Sequence, residues 1–110
     1  MELFQTLQIL APQITPEKCK IHLAGWNGID DPLDVYVAGE FEDWQTEQTQ
    51  KNFEREYVIA LIALPQSNRW LFAGAYESHG CDQVDGPAPH RYNLQRIIST
   101  DEMNGRLIVE

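Results

Sequence analysis

The sequence predicts an α+β domain built on a small curved or barrel-like, mostly antiparallel sheet with two packed helices. Three observations lead there. Apolar residues recur at helical spacing in two stretches only, 2–10 and 34–50. Four other stretches, 18–23, 57–64, 69–78 and 91–98, alternate or run continuously in the manner of strands, and a fifth closes the chain at 106–110. Within RWLFAGAYES, alternation puts Trp70, Phe72, Gly74 and Tyr76 on one face and Leu71, Ala73, Ala75 and Glu77 on the other. A strand apolar on both faces needs cover on both, which a curled sheet backed by helices supplies.

Taken in order, Leu3, Phe4, Leu7 and Leu10 form an amphipathic helix that Pro12 stops. The period then changes to two, with Cys19, Ile21 and Leu23 facing inward and Lys18, Lys20 and His22 outward, so His22 is expected as a surface imidazole. GWNGIDDP, Gly25 to Pro32, is rich in turn formers and reads as a loop. Asp34 is placed to cap a second helix whose stripe is Val37, Phe41, Trp44 and Gln48, with Glu40, Glu42, Asp43 and Glu47 in water. YVIALIAL, Tyr57 to Leu64, is a buried strand that PQSN turns back into RWLFAGAYES as a central antiparallel hairpin. Residues 79–90 are expected as a turn-rich loop before the last two strands, which DEMNG joins. Gly74 is read as a point of curvature or close approach.

The 110 residues suit one domain with a single modest core, and 43% apolar content suits a folded chain. The opening MELFQTLQIL has no basic leader and no apolar run of spanning length, so the expectation is a cytoplasmic protein without a membrane partner. Cys19 and Cys81 are far apart and read as free thiols. The net charge of -9 weighs against indiscriminate phosphate binding. Its distribution is uneven, since nine of the 17 acids lie between Asp30 and Glu56 and the rest of the chain is near balance.

Neither GxSxG, a P-loop, GxGxxG, a CxxC pair nor HExxH occurs, so no catalytic residue, cofactor or metal site is assigned. His79, Cys81, Asp82, Asp85 and His90 share one loop and are all ligand types, but their spacing matches no closed zinc pattern. The acidic pairs Asp30-Asp31 and Glu42-Asp43 read as solvated charges. Trp26, with Asn27 beside it in the loop, is either a plug over the sheet end or a partner contact. Arg69, Arg91 and Arg96, with Tyr92 and Asn93, supply the basic, aromatic and amide groups that engage phosphates, stacked bases and base edges. These seven residues are the candidate DNA-binding set.

FEDWQ, YVIALIAL, the aromatic-x-F-x-G-x-Y strand (Trp70, Phe72, Gly74, Tyr76), RYNL and the closing G-[RK]-L-I-V (Gly105 to Val109) occur in an order that resembles the N-terminal domain of uncharacterised GIY-YIG nuclease family proteins. The resemblance spans roughly residues 33–110. It implies a non-catalytic, endonuclease-associated DNA-recognition domain, of restriction or phage-defence type, with sensitivity to base modification as a further expectation. The implied partners are double-stranded DNA and the C-terminal nuclease domain of a longer parent chain, with which a last strand at RLIVE agrees. Neither GIY nor YIG occurs here, so cleavage is not expected of these residues. By analogy of fold alone the domain is PUA-like in kind. The competing expectation is a protein-interaction or regulatory module that uses the acidic helix.

Overall fold

A computed structural model describes residues 3–26, 31–51 and 53–110. In chain order the elements are α1 (Leu3–Leu10), β1 (Cys19–Ala24), α2 (Pro32–Val37), α3 (Phe41–Thr46), β2 (Glu47–Gln48), β3 (Tyr57–Ala63), β4 (Trp70–Gln83), β5 (His90–Arg96) and β6 (Ile108–Val109), with 3-10 turns at Pro16–Lys18 and Ile98–Met103. The strands make one mixed sheet in the order β1-β3-β4-β5-β2, and β6 pairs with the start of β4. Among the described residues, only the β1–β3 pairing is parallel. The fold is therefore α+β, with a curled, half-barrel sheet and a few short helices.

Both faces of the sheet are covered, as a strand apolar on both sides demands. One core joins Leu3, Leu7, Ala11, Ile14, Cys19, Ile59, Leu61, Phe72 and Ala75 beneath α1. The other joins Ala24, Phe41, Phe53, Val58, Ala60, Ile62, Leu71, Ala73, Tyr76 and Tyr92 beneath α2 and α3. Phe72 is 0% exposed, and its burial contributes on the order of 1.5–3 kcal/mol.

The faces of β4 are not those that strict alternation predicts. Ala60 pairs with Gly74 but Leu61 with Phe72, so Ala73 is an extra residue in a β-bulge. Phe72 and Ala75 consequently share the α1 face, while Ala73 and Tyr76 face α2 and α3. Trp70 and Tyr76 lie on opposite sides of the sheet, not on one.

The expected helix at 34–50 is two. Asp31, not Asp34, is the N-cap, accepting from Leu33 N at 3.1 Å, and Pro32 takes the first helical position. After Val37 the chain passes through Gly39 at φ 79, a left-handed turn that ends α2 and resets the phase. Val37 is thus 79% exposed instead of lying on the apolar stripe.

The 79–90 loop is also shorter than predicted, because β4 continues through Gln83 and pairs with β5 there. Polar on both faces, that half of the strand carries no periodic signal.

On β1 the alternation is right and its burial is inverted beyond Cys19. The eight-residue α1 covers only the start of the strand, leaving Ile21 37% and Leu23 55% exposed. His22 points the other way, against Trp44 (centroids 6.5 Å) and Phe53 (5.2 Å), and is not a surface imidazole. Among the described residues, no helix is long and apolar enough to cross a membrane.

Candidate functional site

The outer edge of β4 changes partners along its length. β6 pairs with Trp70 and Leu71, and β5 with Tyr76 onward. Between them the 3-10 turn Ile98–Met103 arches away, returning where Gly105 N donates to Phe72 O at 2.8 Å and Phe72 N to Leu107 O at 2.9 Å. A cleft of about 440 Å³ opens at this break, on the α2 and α3 side of the sheet. Small-molecule sites occupy about 300–1,000 Å³, so its size is that of a binding site.

Ala73 and Tyr76 supply the sheet wall, Tyr36, Gly39, Phe41 and Glu42 the helical wall, and Arg96, Asp101 and Asn104 the third side. The rings of Tyr36 and Phe41 meet edge to face, with centroids 6.0 Å apart. Arg96 Nε lies 3.3 Å from Asp101 Oδ1, and Asn104 Nδ2 donates to that same oxygen at 3.3 Å. Asn104 Oδ1 is buried without a hydrogen-bond partner, an acceptor awaiting a donor.

Two glycines seat the two phenols. A Cβ at Gly74 would lie 2.8 Å from Tyr76 Oη, and a Cβ at Gly105 would lie 2.8 Å from Tyr36 Oη. Gly105 additionally sits at φ 74, where L side chains are strained. These are the glycines of the Trp70–Tyr76 strand motif and of the Gly105–Val109 motif, so both motifs build one cleft.

Burial raises the pKa of both phenols. For Tyr76 the Glu42 carboxylate adds to this and the Arg96 guanidinium opposes it; for Tyr36, Arg96 is the opposing charge. Both hydroxyls stay protonated through the neutral range and can donate.

The six candidate DNA-binding residues that are described are not brought together. Trp26 follows β1 and is 72% exposed, plugging nothing. Arg69 is exposed in the turn before β4; Ala24 and Trp70 flank neighbouring residues of β3, so Trp26 and Arg69 share one end of the sheet. Asn27 lies outside the described residues. Toward the far end of β4, Arg91 Nη2 donates to Glu47 Oε1 at 2.6 Å, and exposed Asn93 donates to Asp82 Oδ2 at 3.4 Å.

Tyr92 is 3% exposed, its ring against Phe53 and its hydroxyl donating to Glu54 at 3.1 Å, so it is a core residue and not a stacking platform. Of the six that lie among the described residues, only Arg96 reaches the cleft. Arg91 and Arg96 also lie beside the acidic helices, not segregated from them. Selection by residue type missed Tyr36, Glu42, Asp101 and Asn104.

Among the described residues no three His, Cys, Asp or Glu side chains are placed to share a metal ion. In the 79–90 segment, His90 Nδ1 instead lies 3.0 Å from Gln83 Nε2. No protein-family profile, curated protein or solved structure matches the chain.

Proposed function

We propose that this chain is a non-catalytic DNA-recognition domain that targets a GIY-YIG-type nuclease, with the cleft as its recognition site. The observation that supports this reading is the convergence of the two motifs on one cleft, through the seating of Tyr76 by Gly74 and of Tyr36 by Gly105. Residues read as structural in the sequence thereby acquire a reason tied to binding. On this proposal the parent chain's C-terminal nuclease domain cuts, double-stranded DNA is the partner, and discrimination of base modification belongs to the cleft.

The charge pattern specifies what kind of DNA binding to expect. At net charge -9, with Arg91 and Arg96 already bonded to carboxylates, few phosphates are neutralised. Since the slope of log K against log salt is about −0.9 per phosphate neutralised, it should be shallow and discrimination should come from the cleft. Arg106, one residue beyond Gly105, is exposed and has no ion pair among the described residues, which suits it to a phosphate contact.

Fluorescence anisotropy with plain and base-modified duplexes, at several salt concentrations, tests the proposal. Saturable binding that differs between duplexes and weakens in Arg106→Gln supports it; absence of binding at low salt refutes it. Arg91→Glu is a poor probe, because Glu47 is its register partner and two carboxylates would face each other whatever the ligand. Arg91→Gln avoids that conflict.

One observation favours the second reading, a protein-interaction module. Asp34, Glu40, Asp43 and Glu47 are all exposed along α2 and α3 and their junctions. Under that reading, Asp34→Lys with Asp43→Lys weakens association with the nuclease domain supplied in trans, and duplex affinity is nil throughout.

A further inference from the structure

We infer that the outer edge of β1 docks an extended segment of a partner protein in which apolar and acidic residues alternate, an interaction separate from the cleft and independent of what the cleft binds. β1 (Cys19–Ala24) ends the strand order β1-β3-β4-β5-β2, and β3 is its one strand partner among the described residues. Alternate residues of such an edge direct N–H and C=O groups away from the sheet, where water or a further strand must satisfy them. The opposite edge, β2, is two residues long and offers no comparable ladder. β1 pairs with β3 from Cys19 to Ala24 without a register shift and holds no proline, so neither a bulge nor a missing donor closes its edge.

The two faces of β1 define the strand that would complete it. On the α1 face, Ile21 and Leu23 stand beside their register partners Ile59 and Leu61. Ile59 and Leu61 are 0% and 4% exposed, whereas Ile21 and Leu23 are 37% and 55% exposed. The apolar layer thus runs one strand beyond its cover, and apolar side chains on an added strand would extend that cover.

On the other face, Lys18 and Lys20 are exposed and have no ion pair among the described residues, in a chain with 17 acids against 8 cations. Glu17 precedes Lys18, but Lys20 has Val58 as its register partner, so no acid stands opposite it on β3. Unpaired ammonium groups beside an open ladder are complementary to carboxylates at alternate positions of the incoming strand. Lysine on an edge repels basic strands and by the same charge selects acidic ones. The net charge of -9 acts only weakly here, because charges beyond about 8 Å are largely screened at physiological salt and the lysines stand on the strand itself. A second copy of the chain fits less well, since its own β1 would bring lysine and histidine to the Lys20 face instead of carboxylates.

The test titrates the full 110-residue chain into labelled peptides as long as β1, followed by anisotropy. One peptide alternates valine with glutamate, one alternates valine with lysine, and a third is the glutamate peptide N-methylated at its amides, so that it donates no ladder hydrogen bond. Saturable binding of the glutamate peptide is expected, severalfold tighter than of the lysine peptide and lost on N-methylation, with new hydrogen-exchange protection within Cys19–Ala24. Lys20→Glu should reverse the preference between the two charged peptides, and Lys20→Gln should lie between. Leu23→Thr should weaken binding severalfold and leave thermal unfolding unaltered, because Leu23 is exposed.

Equal binding of the glutamate and lysine peptides, undiminished binding of the N-methylated one, protection confined to other strands, or no saturable binding at millimolar peptide overturns the inference. Self-association of the chain without peptide, with protection on β1, would give the edge to a second copy and overturn it too. None of these results bears on duplex binding by the cleft.

Discussion

Replacing Gly74 with alanine tests whether Tyr76 is held where the structure places it. The new Cβ would stand 2.8 Å from Oη, 3.1 Å from Cζ and 3.2 Å from Cε2 of Tyr76, against about 3.5–4.0 Å for a comfortable carbon contact. Tyr76 is 2% exposed and packs in the core with Phe41 and Ala73, so the ring cannot swing away without surrendering contacts. The glycine's φ of 156 in a bulge adds a conformational cost that alanine cannot share. Overpacking of this kind costs about 1–3 kcal/mol, and a central value of about 2 is expected here. At about 4 °C or more per kcal/mol for a domain of this size, the midpoint of thermal unfolding should fall by about 8 °C or more. Urea unfolding should show a lower midpoint with unchanged m-value. The steric part is isolated by a double-mutant cycle with Tyr76→Leu, which withdraws the ring, and a coupling of about 1–2 kcal/mol is expected. An equal cost of Gly74→Ala in both backgrounds, or a cost below about 0.5 kcal/mol in the wild type, would refute the steric argument.

Gly105→Ala should cost about 1–2 kcal/mol for its left-handed backbone at φ 74, while Gly105→Asn, better tolerated there, should recover part of that stability in urea unfolding. Both displace the Tyr36 hydroxyl, so neither should recover full ligand affinity. Burial lowers the pKa of His22, with Lys20 adding to the shift and Gln45 opposing it. The folded state therefore binds fewer protons than the unfolded state between the lowered value and the ordinary one of about 6.5. The resulting stability is present above about pH 6.5 and is lost as pH falls through the folded value; His22→Leu should flatten that limb of a stability–pH curve. Iodoacetamide on the native protein should alkylate Cys81, which is exposed, and spare Cys19, which is buried with its thiol pushed up to about 11 by burial and Glu17, until denaturant is added. Mass spectrometry reads the difference.

Legibility in the sequence followed how local each cause was. YVIALIAL and WLFAGAY announced a central hairpin because continuous apolar residues have one cheap destination, and the structure pairs Tyr57–Ala63 with Trp70–Glu77. The break at Gly39 was missed because Phe41 and Trp44 fit the helical period on their own, and only the positive φ shows the phase restarting. His22 was misplaced because its burial comes from Trp44 and Phe53, remote in sequence and on the face away from α1, and alternation does not contain those contacts. The cleft was the least legible part, since it exists where β4 passes from β5 to β6 and draws residues from Tyr36 to Asn104. Choosing cations and aromatics by type therefore found Arg96 and passed over the rest.

The clue to the cleft was nonetheless in the chain, in its glycines. Gly74 sits in a strand that needs no turn, and Gly105 precedes a strand at a left-handed φ of 74 that glycine adopts without strain. A glycine at such places also asks what occupies the room that a side chain would fill. In both cases the answer is a phenolic oxygen 2.8 Å from the missing Cβ. The two motifs are also joined directly, by the paired hydrogen bonds of Phe72 with Gly105 and Leu107, so a shift in either strand moves both Tyr76 and the glycine against which Tyr36 of α2 rests. That coupling makes the position of the phenols a property of the sheet, and a ligand that needs both hydroxyls fixed is the kind such a site can discriminate.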